Sequence, residues 1–575
     1  MLIPLLRRRL RPYRRPIAIA AVCQVVEILT LLLLPTLNAE VVNRGILDGD
    51  RAAVWQYAGL MVLVTGVALV AGVGTVAFGA RAALGLGRDL RAAVYHHALK
   101  LSPRQVFTLG PAALTTRTTN DVAQIERLVI ATFTTLTAAP LTAIAAVGLA
   151  LHQDVPLSSV PLVLVVVTVV IAWAVLVRMG GLYARIQPGV ERLNRILGEQ
   201  ISGVSVVRAF VRDRHEQERF RRTNRDLRAL SFGVGKLNAF MFPAVALMSN
   251  LATVVIVWAG AIRVDAGAVR IGTVNAFIDY LVYLIWSILL TTFVLASIPR
   301  AAVSARRLSE VLDTAPEVPP PVAPMRGRQR GLLEIRDGGY RYPGASEPAL
   351  SGVDVTVQPG ETVAVIGMTG SGKSTLLAVA ARLLDPTTGR VRLNGVDARE
   401  LDGPELRLSV GLVPQRPCLF AGTVAGNLRL ARTHATDDEL WEALEIAQAA
   451  EFVRELGGLD AVVAPGGGTF SGGQRQRLTI ARTIVRRPDI YLFDDCFSAL
   501  DPATERALRT ALAEHTRLAA VLLVAQRVTS IRDADRIVVL DGGRVAGAGR
   551  HDDLLASNRA YQEIVQSQPI QAMAG

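Results

Sequence analysis

The sequence predicts an all-α six-helix transmembrane domain followed by an α/β domain built around a phosphate-binding loop. Three observations predict it. Six apolar runs of about 20 residues crowd into the first 300 positions. A proline-rich stretch ends them, and beyond it short β-type runs alternate with helical patterns around a glycine-rich turn.

Composition sets the frame. The 575 residues carry a formal charge of +13, with 51% hydrophobic and 19% charged residues, and the mean hydropathy is +0.36. Soluble domains hold roughly 25% charged residues, so a wholly water-soluble chain and a disordered one are both excluded. At roughly 100 to 200 residues per domain, the length accommodates two to four domains. Basic excess in so apolar a chain suits the anionic cytoplasmic face of a membrane better than nucleic acid. Cys23, Cys418 and Cys496 lie far apart with no CxxC spacing, so neither a disulfide framework nor a zinc site is expected.

The membrane segments fall near Ile17 to Leu37, Val54 to Phe78, Val129 to Leu151, Val155 to Val177, Phe240 to Ile262 and Val274 to Ile298. Short loops join the first and second, third and fourth, and fifth and sixth, His152-Gln153-Asp154 being the shortest. Long stretches joining the second to third and fourth to fifth hold Arg81, Arg88, Arg91, Lys100 and Arg104, and Arg208, Arg212, Arg214 and Arg219. The N-terminus adds Arg7, Arg8, Arg9, Arg11, Arg14 and Arg15. By the positive-inside rule, both termini and both long loops are cytoplasmic. The first run is too long for a signal-peptide core and is expected to remain as an anchor. Around Glu199 to Phe220, apolar residues recur at three and four with charges between, predicting helices that continue out of the membrane.

Gln24, Glu27, Asn250 and Asp279 sit in or near these segments. An ionisable group there should face a cavity or a partner. Glu27 and Asp279 are candidates either for contact with a cationic substrate or for hydrogen bonds between helices. Phe277, Tyr280, Tyr283 and Trp286 share one helical face, which suits interfacial anchoring as well as it suits a pocket.

Residues 1–310 thus form the membrane domain. Pro316, Pro319, Pro320, Pro321 and Pro324 stiffen a linker over 311–330, and the α/β domain spans 331–575. Its β-type run Thr362-Val363-Ala364-Val365-Ile366 leads into Gly367, Met368, Thr369, Gly370, Ser371, Gly372, Lys373, Ser374 and Thr375, and then an apolar helix. This is G-x-x-x-x-G-K-[ST] in its strand–loop–helix setting. The glycines turn the backbone so that successive N–H groups face phosphate, and the helix start adds its positive dipole end. Lys373 is placed to reach the β/γ oxygens, and the Ser374 hydroxyl to hold Mg²⁺. A second apolar strand, Ile490 to Phe493, ends in Asp494 and Asp495. The first acid suits Mg²⁺, and the second suits an attacking water.

Just upstream, Phe470-Ser471-Gly472-Gly473-Gln474 resembles the LSGGQ signature of ABC transporters, with Phe for Leu. Gln415 in Val413-Pro414-Gln415 is similar to the Q-loop, a Mg²⁺ and nucleotide contact. Ser498-Ala499-Leu500-Asp501 resembles the D-loop, and Tyr342 before Pro343 the adenine-stacking A-loop. Thr116 to Asp121 and Gly203 to Phe210 resemble the loops that bear coupling helices in the exporter-type (type IV) branch, so those helices are expected near 111–121 and 198–220. The resemblance runs from about Leu5 to Tyr561, with the motifs in family order. It implies ATP and Mg²⁺ as cofactors, a multi-pass protein of the bacterial cytoplasmic membrane, and a half-transporter. Two nucleotide domains would sandwich ATP head to tail, with Ser471, Gly472 and Gly473 capping the nucleotide held by a partner's P-loop.

Two departures bear on which half this is. Where active members have Glu after the strand's Asp and His in the switch loop, this chain has Asp495 and Gln526. Asp withdraws the carboxylate by about 1 Å, a misplacement that can cost on the order of 100-fold in rate. Gln can hydrogen-bond a phosphate but cannot titrate. A third departure is Ala464-Pro465-Gly466 in place of the usual Gly-Glu-Arg. The expectation is the degenerate-site subunit of a heterodimer, moving amphipathic drugs or lipids outward. Its own site would bind ATP and hydrolyse it weakly, and its signature would complete the partner's active site. An active homodimer, a regulatory or scaffold subunit and an importer of exporter shape stand as alternatives.

Overall fold

The computed structural model describes residues 2–295 and 297–568. Six helices are long and apolar enough to cross a membrane: Arg11–Leu47, Arg51–Ala98, Pro111–Gln153, Val155–Ser202, Asp213–Asp265 and Ile271–Thr292. The fourth and fifth have 48 and 53 residues. At 1.5 Å per residue they run about 72 and 80 Å, against a hydrocarbon core of about 30 Å, so more than half of each length exceeds what the core requires. The extensions run unbroken to Ser202 and again from Asp213, and the stretch Glu199 to Phe220 read from the periodicity holds the end of one, the short helix Val204–Ala209 and the start of the other.

The short outer connections have a local cause. The third membrane helix ends at Gln153 and the fourth begins at Val155, leaving Asp154 alone in an extended conformation (φ −161°, ψ 118°). Its Oδ1 accepts the N–H of Leu157 at 2.8 Å, capping the new helix. Its Oδ2 accepts from Arg263 Nη2 at 2.6 Å. One buried side chain thus starts the fourth helix and ties it to the fifth. Asp50 caps the second helix through the N–H groups of Ala52 and Ala53.

The chain divides into two compact units. One runs from the N-terminal helix to Leu99 and from Leu109 to Thr314; the other takes Lys100–Thr108 together with everything from Ala315 onward. Residues 111–121, where one coupling helix was expected, open the third membrane helix, as α-helix over Pro111–Thr116 and π-helix over Arg117–Asp121. A separate short helix, Pro103–Leu109, precedes them, and the short helix Val204–Ala209 lies within the second expected stretch.

The α/β unit has two main sheets. β1 (Leu333–Tyr340), β2 (Leu350–Val357), β4 (Thr388–Leu393) and β5 (Val396–Asp397) form an antiparallel sheet in the order β2-β1-β4-β5. The larger sheet joins β3 (Thr362–Ile366), β6 (Val410–Val413), β9 (Ile490–Asp494), β10 (Ala520–Val524), β11 (Arg536–Asp541) and β12 (Arg544–Gly549) in the order β12-β11-β3-β10-β9-β6. A small pair, β7 (Gly422–Thr423) and β8 (Val462–Val463), lies apart. β11, β3, β10, β9 and β6 are mutually parallel, so helices must cover both faces, and the strands read as unbroken apolar runs. Successive residues feed opposite cores: Val363, Val365, Ile490, Leu492 and Leu522 go to one side, and Ala364, Ile366, Tyr491, Phe493 and Leu523 to the other.

Candidate nucleotide site

Parallel strands point their carboxyl ends to one edge, where open α/β sheets bind ligands. The four adjacent strands β3, β10, β9 and β6 deliver, in that order, the glycine-rich loop 367–375, Gln526, Asp494–Asp495 and Gln415. Residues up to 159 positions apart in sequence therefore meet at one sheet edge because their strands are neighbours.

The loop is shaped for a phosphate. Gly370 (φ +87°) and Gly372 (φ +100°) adopt left-handed conformations that favour glycine. A Cβ on Gly367 would run into the carbonyl of Leu540, and one on Gly372 would come within 2.5 Å of the carbonyl of Ala349. Thr369 and Gly370 are exposed at the crest, while Ser371 and Thr375 are buried beneath it. The helix Lys373–Ala380 starts here, and its first N–H groups have no intrahelical partner. Lys373 is buried, and its Nζ donates to the carbonyls of Gly367 at 2.8 Å and Met368 at 2.9 Å. Burial pushes its pKa down, opposed by the nearby Asp495 and Asp494. A buried ammonium bonded only to neutral oxygens, beside unpartnered N–H groups, is a donor set that fits a polyphosphate.

The metal-binding residue types are adjacent: Ser374 Oγ donates to Asp494 Oδ1 at 3.2 Å. Burial raises the pKa of both Asp494 and Asp495, and the hydrogen bonds from Ser374 and Gln415, respectively, oppose it. Asp495 is buried and has φ +45°, a conformation that Asp tolerates better than most residues. Its N–H donates to Val524 O and its carbonyl accepts from Ser498 Oγ, each at 2.9 Å. One carboxylate oxygen, Oδ2, accepts from both Gln526 Nε2 (2.9 Å) and Gln415 Nε2 (3.3 Å). Tyr342 stands edge-on to Tyr340, with ring centroids 4.9 Å apart, and its hydroxyl lies 3.1 Å from Thr375 Oγ1.

The signature residues lie at a different helix start. Ser471 caps the helix Gly472–Arg486 in a reciprocal box: its Oγ accepts the N–H of Gln474 at 3.3 Å, and its own N–H donates to Gln474 Oε1 at 2.9 Å. Nothing stands within 4 Å of a Cβ on Gly472, whereas one on Gly473 would lie 3.1 Å from the carbonyl of Ala499 in the D-loop. Ser471 and Gly472 are thus exposed at a helix N-terminus, and Gly473 permits the close approach behind them. Asp501 caps the helix Pro502–His515 through the N–H of Thr504.

Several contacts in the nucleotide unit involve residues outside the motifs. Arg527 Nη2 donates to Ser498 O at 3.4 Å, and Ser530 Oγ donates to buried Glu505. Glu317 accepts from Ser102 Oγ at 2.6 Å and from Arg104, and its own N–H donates to Gln105 Oε1 at 3.2 Å. The segment 102–105 had a readable signal, since Ser102-Pro103-Arg104-Gln105 is a capping box with proline at the first helical position.

A six-helix membrane domain joined to an α/β domain with this loop, acid pair and exposed second helix start defines a membrane transporter driven by ATP hydrolysis. The family comparisons agree. The ABC transporter transmembrane region matches residues 17–288, and the ABC transporter nucleotide domain matches residues 350–498. An uncharacterised ABC transporter ATP-binding protein of Mycobacterium tuberculosis is 40% identical over 580 residues, with all of both chains covered. An ATP-dependent lipid A-core flippase of Thiobacillus denitrificans is 30% identical over 568 residues, covering 96% of each chain. The solved structure of a bacterial Atm1-family ABC exporter with ATP bound superposes with a TM-score of 0.80 at 24% identity, over 98% of this chain and 99% of that one, and shares its fold. The chain belongs to the ABC transporter family, with the membrane region and the nucleotide domain in one polypeptide. It is a multi-pass inner-membrane protein with a cytoplasmic nucleotide domain.

Proposed function

We propose that this chain is the degenerate-site half of a heterodimeric exporter of amphipathic lipids or drugs. The observation that carries the reading is at Asp495: the two side chains that converge on its carboxylate are both amides, from Gln415 and Gln526. An amide can hold a carboxylate or a phosphate oxygen but cannot take up or relay a proton. With Asp in place of Glu, the carboxylate also stops about 1 Å short, a misplacement that can cost on the order of 100-fold. Binding and slow hydrolysis follow.

In this reading, Lys373 leaves its two loop carbonyls for phosphate oxygens, and the N–H groups of 370–375 point at the same group. Ser374, Asp494 and Gln415 hold Mg²⁺, and Tyr342 packs against the base. Bound MgATP supplies the free energy of phosphoryl transfer. Ser471, Gly472 and Gly473 cap the nucleotide of a second half-transporter, and Asp501 lies beside that junction. The helices Pro103–Leu109 and Val204–Ala209 would carry motion to the membrane domain. A lipid substrate is supported by the flippase among the relatives.

The experiment is ATP hydrolysis by the purified chain, alone and co-assembled with a half-transporter carrying Glu and His. Slow turnover alone and fast turnover together support the reading. Brisk turnover by the chain alone overturns it in favour of an active homodimer.

A further inference from the structure

The switch loop, Ala525 to Ser530, is gripped from outside by a residue near the end of the chain. Gln568 uses both ends of its side-chain amide on the loop's backbone. Its Nε2 donates to the carbonyl of Gln526 at 2.8 Å, and its Oε1 accepts the N–H of Val528 at 2.9 Å. Bonding to residues two apart through one donor and one acceptor reproduces one rung of a β-ladder, which fixes position and rotation of the loop together. Val528 N–H is also the first donor of the turn Val528–Ser530, a group with no partner inside its own turn. From there the contacts continue inward: Gln526 Nε2 donates to Asp495 Oδ2. Gln568 stands two residues beyond the helix Arg559–Gln566, whose Tyr561, Ile564 and Val565 are buried, so the clamp is anchored in the core.

We infer that Gln568 is a positioning residue for hydrolysis at this chain's own nucleotide site, setting where the Gln526 amide stands relative to Asp495. The inference rests on ATP hydrolysis by the family and not on the heterodimer reading.

The test is single-turnover hydrolysis by the full chain in its working assembly, with protein in excess over radiolabelled ATP. The maximal rate and the half-saturating concentration are read separately. Gln568→Met keeps the length and removes both bonds. It should lower the maximal rate about tenfold, as expected for a sub-ångström shift of a reacting group, with half-saturation and thermal midpoint unchanged. Gln568→Glu, which keeps the acceptor for Val528, should lie between. In a Gln526→Ala background, Gln568→Met should have no further effect, because the positioned group is gone. An unchanged maximal rate in Gln568→Met overturns the inference. So does the same fold-loss in the Gln526→Ala background, or a loss that appears only with a lowered thermal midpoint. Where the assembly includes a different half-transporter, the P-loop lysine of that partner is replaced by alanine, so that the rate read is that of this chain's own site and the outcomes hold whether that site is fast or slow.

Discussion

Gln526 and Asp495, 31 positions apart, meet because β10 and β9 are adjacent parallel strands, and the amide of the first donates to Oδ2 of the second at 2.9 Å. In the proposed reading this pair replaces a titratable one. Asp495→Glu with Gln526→His should therefore raise turnover of the assembled transporter, by on the order of 100-fold at this site if distance is the dominant loss. Radiolabelled ATP hydrolysis at saturating MgATP measures it, and an unaltered rate refutes the chemistry.

Acid should weaken the site earlier than an ordinary aspartate would suggest. Burial raises the pKa of Asp494 and Asp495, so their charged forms are lost as pH falls at values above the usual Asp range near 4. Mg²⁺ dependence of nucleotide binding should fade on that acid limb. Asp494→Asn should weaken the Mg²⁺ dependence at every pH, because Ser374 and Gln415 remain. Titration of MgATP binding between pH 4 and 8 checks the sign.

Asp154 and Arg263 tie the outer turn between the third and fourth membrane helices to the fifth. Asp154 is 8% exposed, so Arg263→Ala leaves a buried carboxylate with only its capping bond. The loss should be about 1.5 to 3 kcal/mol, the range for a charged hydrogen bond. Asp154→Asn keeps the helix cap and should recover part of that loss in the Arg263→Ala background. Thermal unfolding in detergent of the two single variants and the double variant measures the coupling.

Ser471→Ala removes one half of the capping box and should destabilise the signature helix by about 1 kcal/mol. Ser471→Asp restores a cap but places a negative charge at an exposed helix start where the reading puts a phosphate. Stability recovered with ATPase still lost is the expected pattern, and recovery of both refutes the phosphate contact.

Glu317 holds the segment Ser102 to Gln105 through Ser102 Oγ, Arg104 and its own N–H. Glu317→Ala should expose that segment, and trypsin should cleave after Arg104 several-fold faster in the folded protein. An unchanged cleavage rate refutes the holding role of Glu317.

Much of the site was legible locally. Lys373, Ser374, Asp494, Gln415 and Ser471 sit in motifs whose chemistry depends on near neighbours in sequence, and the strands carrying them are short apolar runs with distinct ends. The membrane helices were legible for the same reason, since bilayer thickness imposes length and composition on each one alone. Their water-side continuations were legible from periodicity.

By itself, then, the sequence determined which segments are long and apolar enough to cross a membrane, which loop carries the G-x-x-x-x-G-K-[ST] pattern, and that Asp495 and Gln526 stand where the resembled family has Glu and His. Only the tertiary structure decided that the two amides share one oxygen of Asp495, that Gln568 clamps the switch loop, and that Lys100–Thr108 joins the nucleotide unit while 111–121 begins a membrane helix. The physical reason is range. Helical period, glycine turns and caps are set within a few residues, whereas these contacts join positions from 31 to more than 200 apart, whose meeting depends on strand order and packing that no local pattern records.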